Sequence, residues 1–308
     1  MTENAKRIGI VILLFILVTL TWGTTWMAMK IAVATIPPIF ATGLRFLAAS
    51  PLLLLFSWLT KTPLLFPKGS RLFQLLICLA YFAGPFTLMI YGESYVSSGL
   101  ASIIFANMPV AVLIVSILLL KERISPTQLL GLVLGVVSLS TILYLESSQT
   151  SGTSWQGIAA LLAAVIIHAI MYVQCKKRSQ KISVLTFNTL PCLGAGFLLL
   201  LLGSWVEKID SAMFSTSSLI SVGYLGIVAG VFGILCYFAL QQRASAFQAS
   251  LVFLVFPIIA LGVERMVSGT TISQASLWLI LPLLLGILLT LTPISTIRTV
   301  LRLEPVRT

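Results

Sequence analysis

From Ser97 to Leu120 the chain is a largely apolar run; it stops at Lys121-Glu122-Arg123 and turns apolar again after Pro126, over an expected span of 127–146. Two such runs of about 20 residues, separated by one charged turn, are what a bilayer demands, because about 20 helical residues cross its hydrocarbon core. Asn107 and Pro109 fall near the middle of the first expected span. At that depth an amide needs a partner and proline's missing N–H frees a carbonyl, so both must face protein or a wet cavity.

The rest of the chain agrees. Of 308 residues, 58% are hydrophobic and only 9% charged, where a soluble globular domain carries about 25% charge. The net charge of +11 does not point to nucleic acid, because the basic residues sit between apolar runs and form no solvated patch. The partner implied is a lipid bilayer. Cys78, Cys175, Cys192 and Cys236 lie within or at the ends of apolar segments without CxxC spacing, and are expected to pack as small apolar residues. The one histidine, His168, is too little for an iron or zinc cluster. No cofactor or metal is implied.

Apolar runs place ten helices at 8–29, 39–59, 72–92, 97–119, 127–146, 156–175, 184–205, 217–241, 246–267 and 276–297. The basic residue pair Lys6-Arg7 before the first run resembles a signal peptide, but the run is too long and lacks a cleavage site, so it is kept as helix 1. With the N-terminus inside, fifteen Lys and Arg residues fall on the cytoplasmic side, against Lys30, Lys208 and Arg265 outside and Arg45 within helix 2. Both termini are therefore expected in the cytoplasm. Dividing the chain near residue 150 gives halves 1–150 and 151–308 with five helices each. Aligning Pro109 with Pro257 also aligns Ser97 with Ser245, Ala101 with Ala249, Ser102 with Ser250 and Phe105 with Phe253. An odd helix count per half turns the second half upside down, the arrangement of secondary transporters with a midplane site. The fold class expected is an all-α polytopic membrane protein, ten transmembrane helices as two inverted five-helix repeats.

Trp22-Gly23-Thr24-Thr25-Trp26, Lys30, Pro37-Pro38 and Arg45-Phe46 in the first helices, with Ala101-Ser102, Pro109, Glu122-Arg123, Gln128, Gly131 and Gly135 in the fourth and fifth, carry a resemblance. Over nearly its whole length the chain resembles the EamA-type branch of the drug/metabolite transporter superfamily. The resemblance implies two inverted repeats, a central substrate cavity and alternating access without ATP, in the inner membrane of a bacterium. One departure stands out: Glu122 follows Pro109 by thirteen residues, whereas the matching Thr270 is neutral and the nearest acid is Glu264.

Several polar and aromatic residues fall inside the expected spans. Arg45 lies roughly 10 Å below the outer surface, where a guanidinium facing lipid is costly; it either anchors an anionic or zwitterionic solute or snorkels outward. Glu264, late in helix 9, either pairs with Arg45 as a gate or ends its helix as an interfacial charge. His168, near the midplane, can take up a proton, hydrogen-bond solute or simply pack. Trp22, Thr25 and Trp26 share the outer half of helix 1; the tryptophans, one turn apart, form an aromatic wall or, for Trp26, an interfacial belt. Asn107 mirrors His168 in depth, and Tyr81 and Tyr172 offer hydroxyls to a cavity or pack. Gly223, Gly226, Gly230 and Gly233 are expected to let helix 8 approach its neighbours closely.

The function these features favour is a transporter of a small metabolite. Family resemblance alone suggests export of amino acids or related compounds, with a proton as coupling ion if His168 or Glu264 titrates. An importer or exchanger of a nucleotide-like or other cofactor metabolite fits the same features, and so does a non-transporting membrane receptor or assembly protein. An intramembrane enzyme does not fit: the sole aspartate, Asp210, is in a loop, and there is no GxSxG frame.

Overall fold

The computed structural model describes residues 3–121, 125–149, 154–178, 182–243, 252–269 and 272–291, and every regular element among them is helical. The helices are α1 (Glu3–Ala32), α2 (Pro38–Leu59), α3 (Arg71–Glu93), α4 (Ser98–Ala106 continuing as Met108–Leu120), α5 (Pro126–Gln149), α6 (Trp155–Arg178), α7 (Val184–Val206), α8 (Thr216–Gly223, Tyr224–Gly233 and Ile234–Arg243), α9 (Val252–Ser268) and α10 (Gln274–Leu291). Among the described residues, α1 to α8 are each long and apolar enough to cross a membrane. The described parts of α9 and α10 are shorter. The remainder of their expected spans, 246–251 and 292–297, lies outside the described residues, as do Glu122-Arg123, Thr270 and the aligned Ser245, Ala249 and Ser250.

Large apolar side chains cover the outside as well as the core: Leu72, Leu118, Leu201, Trp205 and Ile220 are exposed. A helix apolar all round is stable only when its outer face meets lipid. The chain is a multi-pass membrane protein.

The main pairings are α5 with α10, α2 with α7, α1 with α8 and α9, α6 with α3 and α4, and α4 with α9. Close approach is steric. A Cβ on Gly286 would lie 2.6 Å from the Gly135 amide, so only glycine allows the α5–α10 crossing.

Chain breaks follow the residue chemistry. Ser97 caps α4, its hydroxyl accepting from Leu100 N at 3.2 Å. The expected continuous fourth helix is interrupted: Asn107 sits at φ −79°, ψ 5°, between the two α4 pieces, and Pro109 opens the second. The Asn107 amide N–H donates to Ile104 O, and its side-chain amide donates to Ile103 O at 3.0 Å. The side chain thereby takes the carbonyl that regular helix geometry would give to the Asn107 backbone. In α3, residues Cys78–Ala83 widen into a π turn ahead of Pro85, and α8 widens likewise over Tyr224–Gly233. Such bulges recur at functional sites.

Candidate functional site

Proline 85 has no N–H to offer the carbonyl four residues back, which is that of Tyr81. His168 of α6 meets this carbonyl with its Nε2, 3.1 Å away. A carbonyl only accepts, so Nε2 carries the proton and Nδ1 is left with its lone pair; Nδ1 is buried without a partner. The histidine ring is packed edge-on by Tyr81 at 5.3 Å and Phe86 at 5.3 Å, with Phe105 at 6.2 Å.

Phe86 connects this histidine to Arg45. The guanidinium lies 4.7 Å above the Phe86 ring, and its nearest recorded polar neighbour is the Met29 sulfur of α1, 3.7 Å from Nη1. Arg45 is only 6% exposed and makes no ion pair or hydrogen bond to oxygen among the described residues. Of the two alternatives the sequence leaves open, outward snorkelling does not fit, because the side chain is turned inward. Gly226 of α8 helps to set its backbone, because a Cβ there would overlap the Arg45 carbonyl and Ala48. The small residues of α8 thus serve the site, although Gly223 and Gly230 meet little there.

The tryptophans of α1 continue the surface. Trp26 stacks near Phe105 at 5.0 Å and Phe256 at 6.2 Å. Trp22 meets Tyr237 at 4.8 Å and Phe253 at 6.0 Å. Trp26 is 4% exposed, so it belongs to the interior and not to an interfacial belt. Through Phe105 and Phe86 one aromatic surface joins Trp22 and Trp26 to His168, Arg45 and Tyr81; Tyr172 adjoins Tyr81 with ring centroids 5.8 Å apart. Phe86, Phe105 and Met29 were not singled out as site residues in the sequence. The available signal was Gly84-Pro85 ahead of Phe86, which forecasts a distorted helix in mid-membrane.

Two expected site residues, Glu264 and Thr25, are engaged elsewhere, and a third, Asn107, is engaged in part. Glu264 does not pair with Arg45: its Oε1 accepts from Ser98 N at 3.0 Å and its Oε2 from Gly99 N at 2.8 Å, closing the N-terminus of α4. Helix N-terminal amides attract carboxylates through unsatisfied donors and the helix dipole. Thr25 donates to Thr21 O of its own helix at 2.7 Å. Asn107 donates a side-chain N–H to Ile103 O, whereas its Oδ1, turned toward Gly135 of α5, is buried without a partner among the described residues. The residues expected to line a wet cavity are buried: Arg45, Asn107 and His168 are each 5–6% exposed. The grooves of about 690 and 340 Å³ lie elsewhere, beside Trp58 and Leu64 and beside Leu76 and Ile170.

The description "EamA-like transporter family" fits residues 9–144 and again 155–292, so the family's unit is duplicated. The chain is similar to Protein PagO of Salmonella typhimurium, 58% identical over 91% of this chain and 92% of that one. It is also 52% identical to an uncharacterized transporter of Buchnera aphidicola, over 95% and 98% of the two chains. YedA of Escherichia coli K12, named an inner membrane transporter, is 28% identical over 84% and 83%. A crystal structure of a protein 17% identical superposes with a TM-score of 0.67 over 96% of this chain and 99% of that chain, which speaks for the fold. With both copies of the unit matched and such relatives at full length, the chain belongs to the EamA-like transporter family.

Proposed function

We propose that the chain crosses the membrane ten times, as two oppositely oriented five-helix repeats divided near residue 150, and exports a small anionic or zwitterionic metabolite by alternating access without ATP. Amino acids or related compounds are the solutes this reading favours, and both termini then face the cytoplasm. The helix pairings support the repeat. Replacing helices one to five by six to ten, in order, turns α1–α9 into α6–α4, α1–α8 into α6–α3 and α2–α8 into α7–α3, and leaves α2–α7, α5–α10 and α4–α9 in place. The π turns fall in α3 and α8, which exchange under the same operation.

One observation carries the solute class: a buried guanidinium that, among the described residues, meets a thioether and an aromatic ring and has no oxygen acceptor. Burying a cation without an oxygen acceptor costs several kcal/mol, and an arriving carboxylate or phosphate would supply the missing charge-assisted hydrogen bonds. Opposite it across Phe86, His168 Nδ1 is an acceptor for a solute N–H.

The test is flux through purified protein in liposomes, with a panel of labelled amino acids, hydroxy acids and sugar phosphates. Arg45→Ala should cut flux at least tenfold at matched folding. Arg45→Lys should not restore it, because an ammonium lacks the planar two-pronged donor. Transport of no solute in the panel, or equal rates in wild type and Arg45→Ala, overturns the reading.

A further inference from the structure

Glu93, the last residue of α3, is completely buried, and neither carboxyl oxygen has a hydrogen-bond partner among the described residues. Beside it Lys30 of α1 extends into the turn between α3 and α4, but its Nζ donates to backbone: to the carbonyl of Glu93 itself at 2.6 Å and that of Val96 at 2.7 Å. Among the described residues, the charged groups facing Glu93 are Lys30 from α1 and Glu264 from α9. Both oxygens of Glu264 are taken by the Ser98 and Gly99 amides. From α6 this corner meets Gly157 and Leu161, neither ionisable, and Arg45 of α2 is held at Phe86 and Met29. A carboxylate in such a place costs several kcal/mol, whereas the neutral acid costs far less.

We propose that Glu93 is a proton-binding site that links packing of the α1–α3–α4–α9 corner to uptake of one proton, a reading that rests on the alternating-access function above. While the corner is packed, the carboxyl is neutral. When the corner opens, the carboxyl O–H bond breaks, the proton passes to water, and the Lys30 ammonium, keeping its three hydrogens, exchanges the two carbonyls for the new carboxylate. By linkage, rising pH on the side that the corner faces favours the open form and falling pH favours the packed one. Glu264 is poorly suited to this task, because both its oxygens already accept amide hydrogen bonds at the start of α4.

Two measurements on the full chain in lipid nanodiscs, with pH as the only variable, test the site. Infrared difference spectra should show the carbonyl band of a buried, protonated carboxylic acid that disappears in Glu93→Gln. In Lys30→Gln the band should persist to higher pH, since the ionised form has lost its partner. Spin labels at Ser94→Cys and Val267→Cys should report an open-to-packed ratio rising up to tenfold per pH unit in wild type and flat in Glu93→Gln. A band surviving Glu93→Gln, or the same pH dependence in that variant, overturns the assignment. If Glu93→Gln does not fold, Lys30→Gln decides: loss of the band at the wild-type pH overturns it. Flux through Arg45→Ala decides the transport reading and leaves the infrared band unchanged, so the two proposals fail separately.

Discussion

Arg45 and Glu264 are both buried charges in apolar helices, 6% and 4% exposed, one from each half of the chain. Sequence reasoning offers them to each other, since opposite charges at similar depth should pair. The structure separates them by what they lack. Each Glu264 oxygen has an amide donor; Arg45 has a sulfur and a ring. Burial and charge are common to a structural cap and a binding group, and only the unsatisfied valence tells them apart.

The largest effect that would sharpen this contrast is on the cap. Glu264→Ala leaves two buried helix-terminal amides without acceptors, at a cost of about 3 kcal/mol or more. Purified protein should melt well below wild type, and Glu264→Gln, which keeps a single carbonyl acceptor, should fall between. An unchanged melting temperature in Glu264→Ala would break the comparison. Glu207 repeats the device at the start of α2, accepting from Ile39 N and Phe40 N at 2.9 Å each. It is only half-buried, so water can replace it, and Glu207→Ala should cost about 1–2 kcal/mol in the same melting measurement. Arg45→Met should cost nothing and leave the melting temperature at or above that of wild type, because an apolar side chain of similar length replaces a buried charge without a partner. Loss of flux with retained stability is the signature expected of Arg45 alone.

Helix positions were legible because a bilayer imposes length: the α2, α3 and α7 expectations match the observed bounds within a residue or two. Arg45 and His168 stood out for the same reason, since a polar group at depth is costly against lipid, but the sequence left open whether Arg45 snorkels and whether Trp26 joins an interfacial belt. Partners were not legible. The Glu264 contact spans 166 residues of sequence to Ser98, and nothing local distinguishes an acid that caps a distant helix from one that faces a solute. Phe86 looked like any apolar residue until α3 widened at Cys78–Ala83 and aimed it between Arg45 and His168. Glu93, one residue past the expected third span, was not singled out in the sequence, and only the packing of distant helices buries it.

Thr25 gives the smallest effect and the finest test of the rule drawn from Arg45 and Glu264. It stands one residue from Trp26 and is 8% exposed, so position alone would make it a site residue. Its hydroxyl already donates to Thr21 O one turn back, a bond of the kind that threonine makes along apolar helices to satisfy itself. Valine keeps the branched shape and removes only that local bond, and the freed Thr21 carbonyl keeps its helical partner. Thr25→Val should therefore change the melting temperature by no more than the equivalent of about 0.5 kcal/mol and leave flux within twofold of wild type. A tenfold loss of flux would mean that the hydroxyl turns from Thr21 to the solute during the cycle, and that satisfaction in one conformation does not exempt a residue from the site.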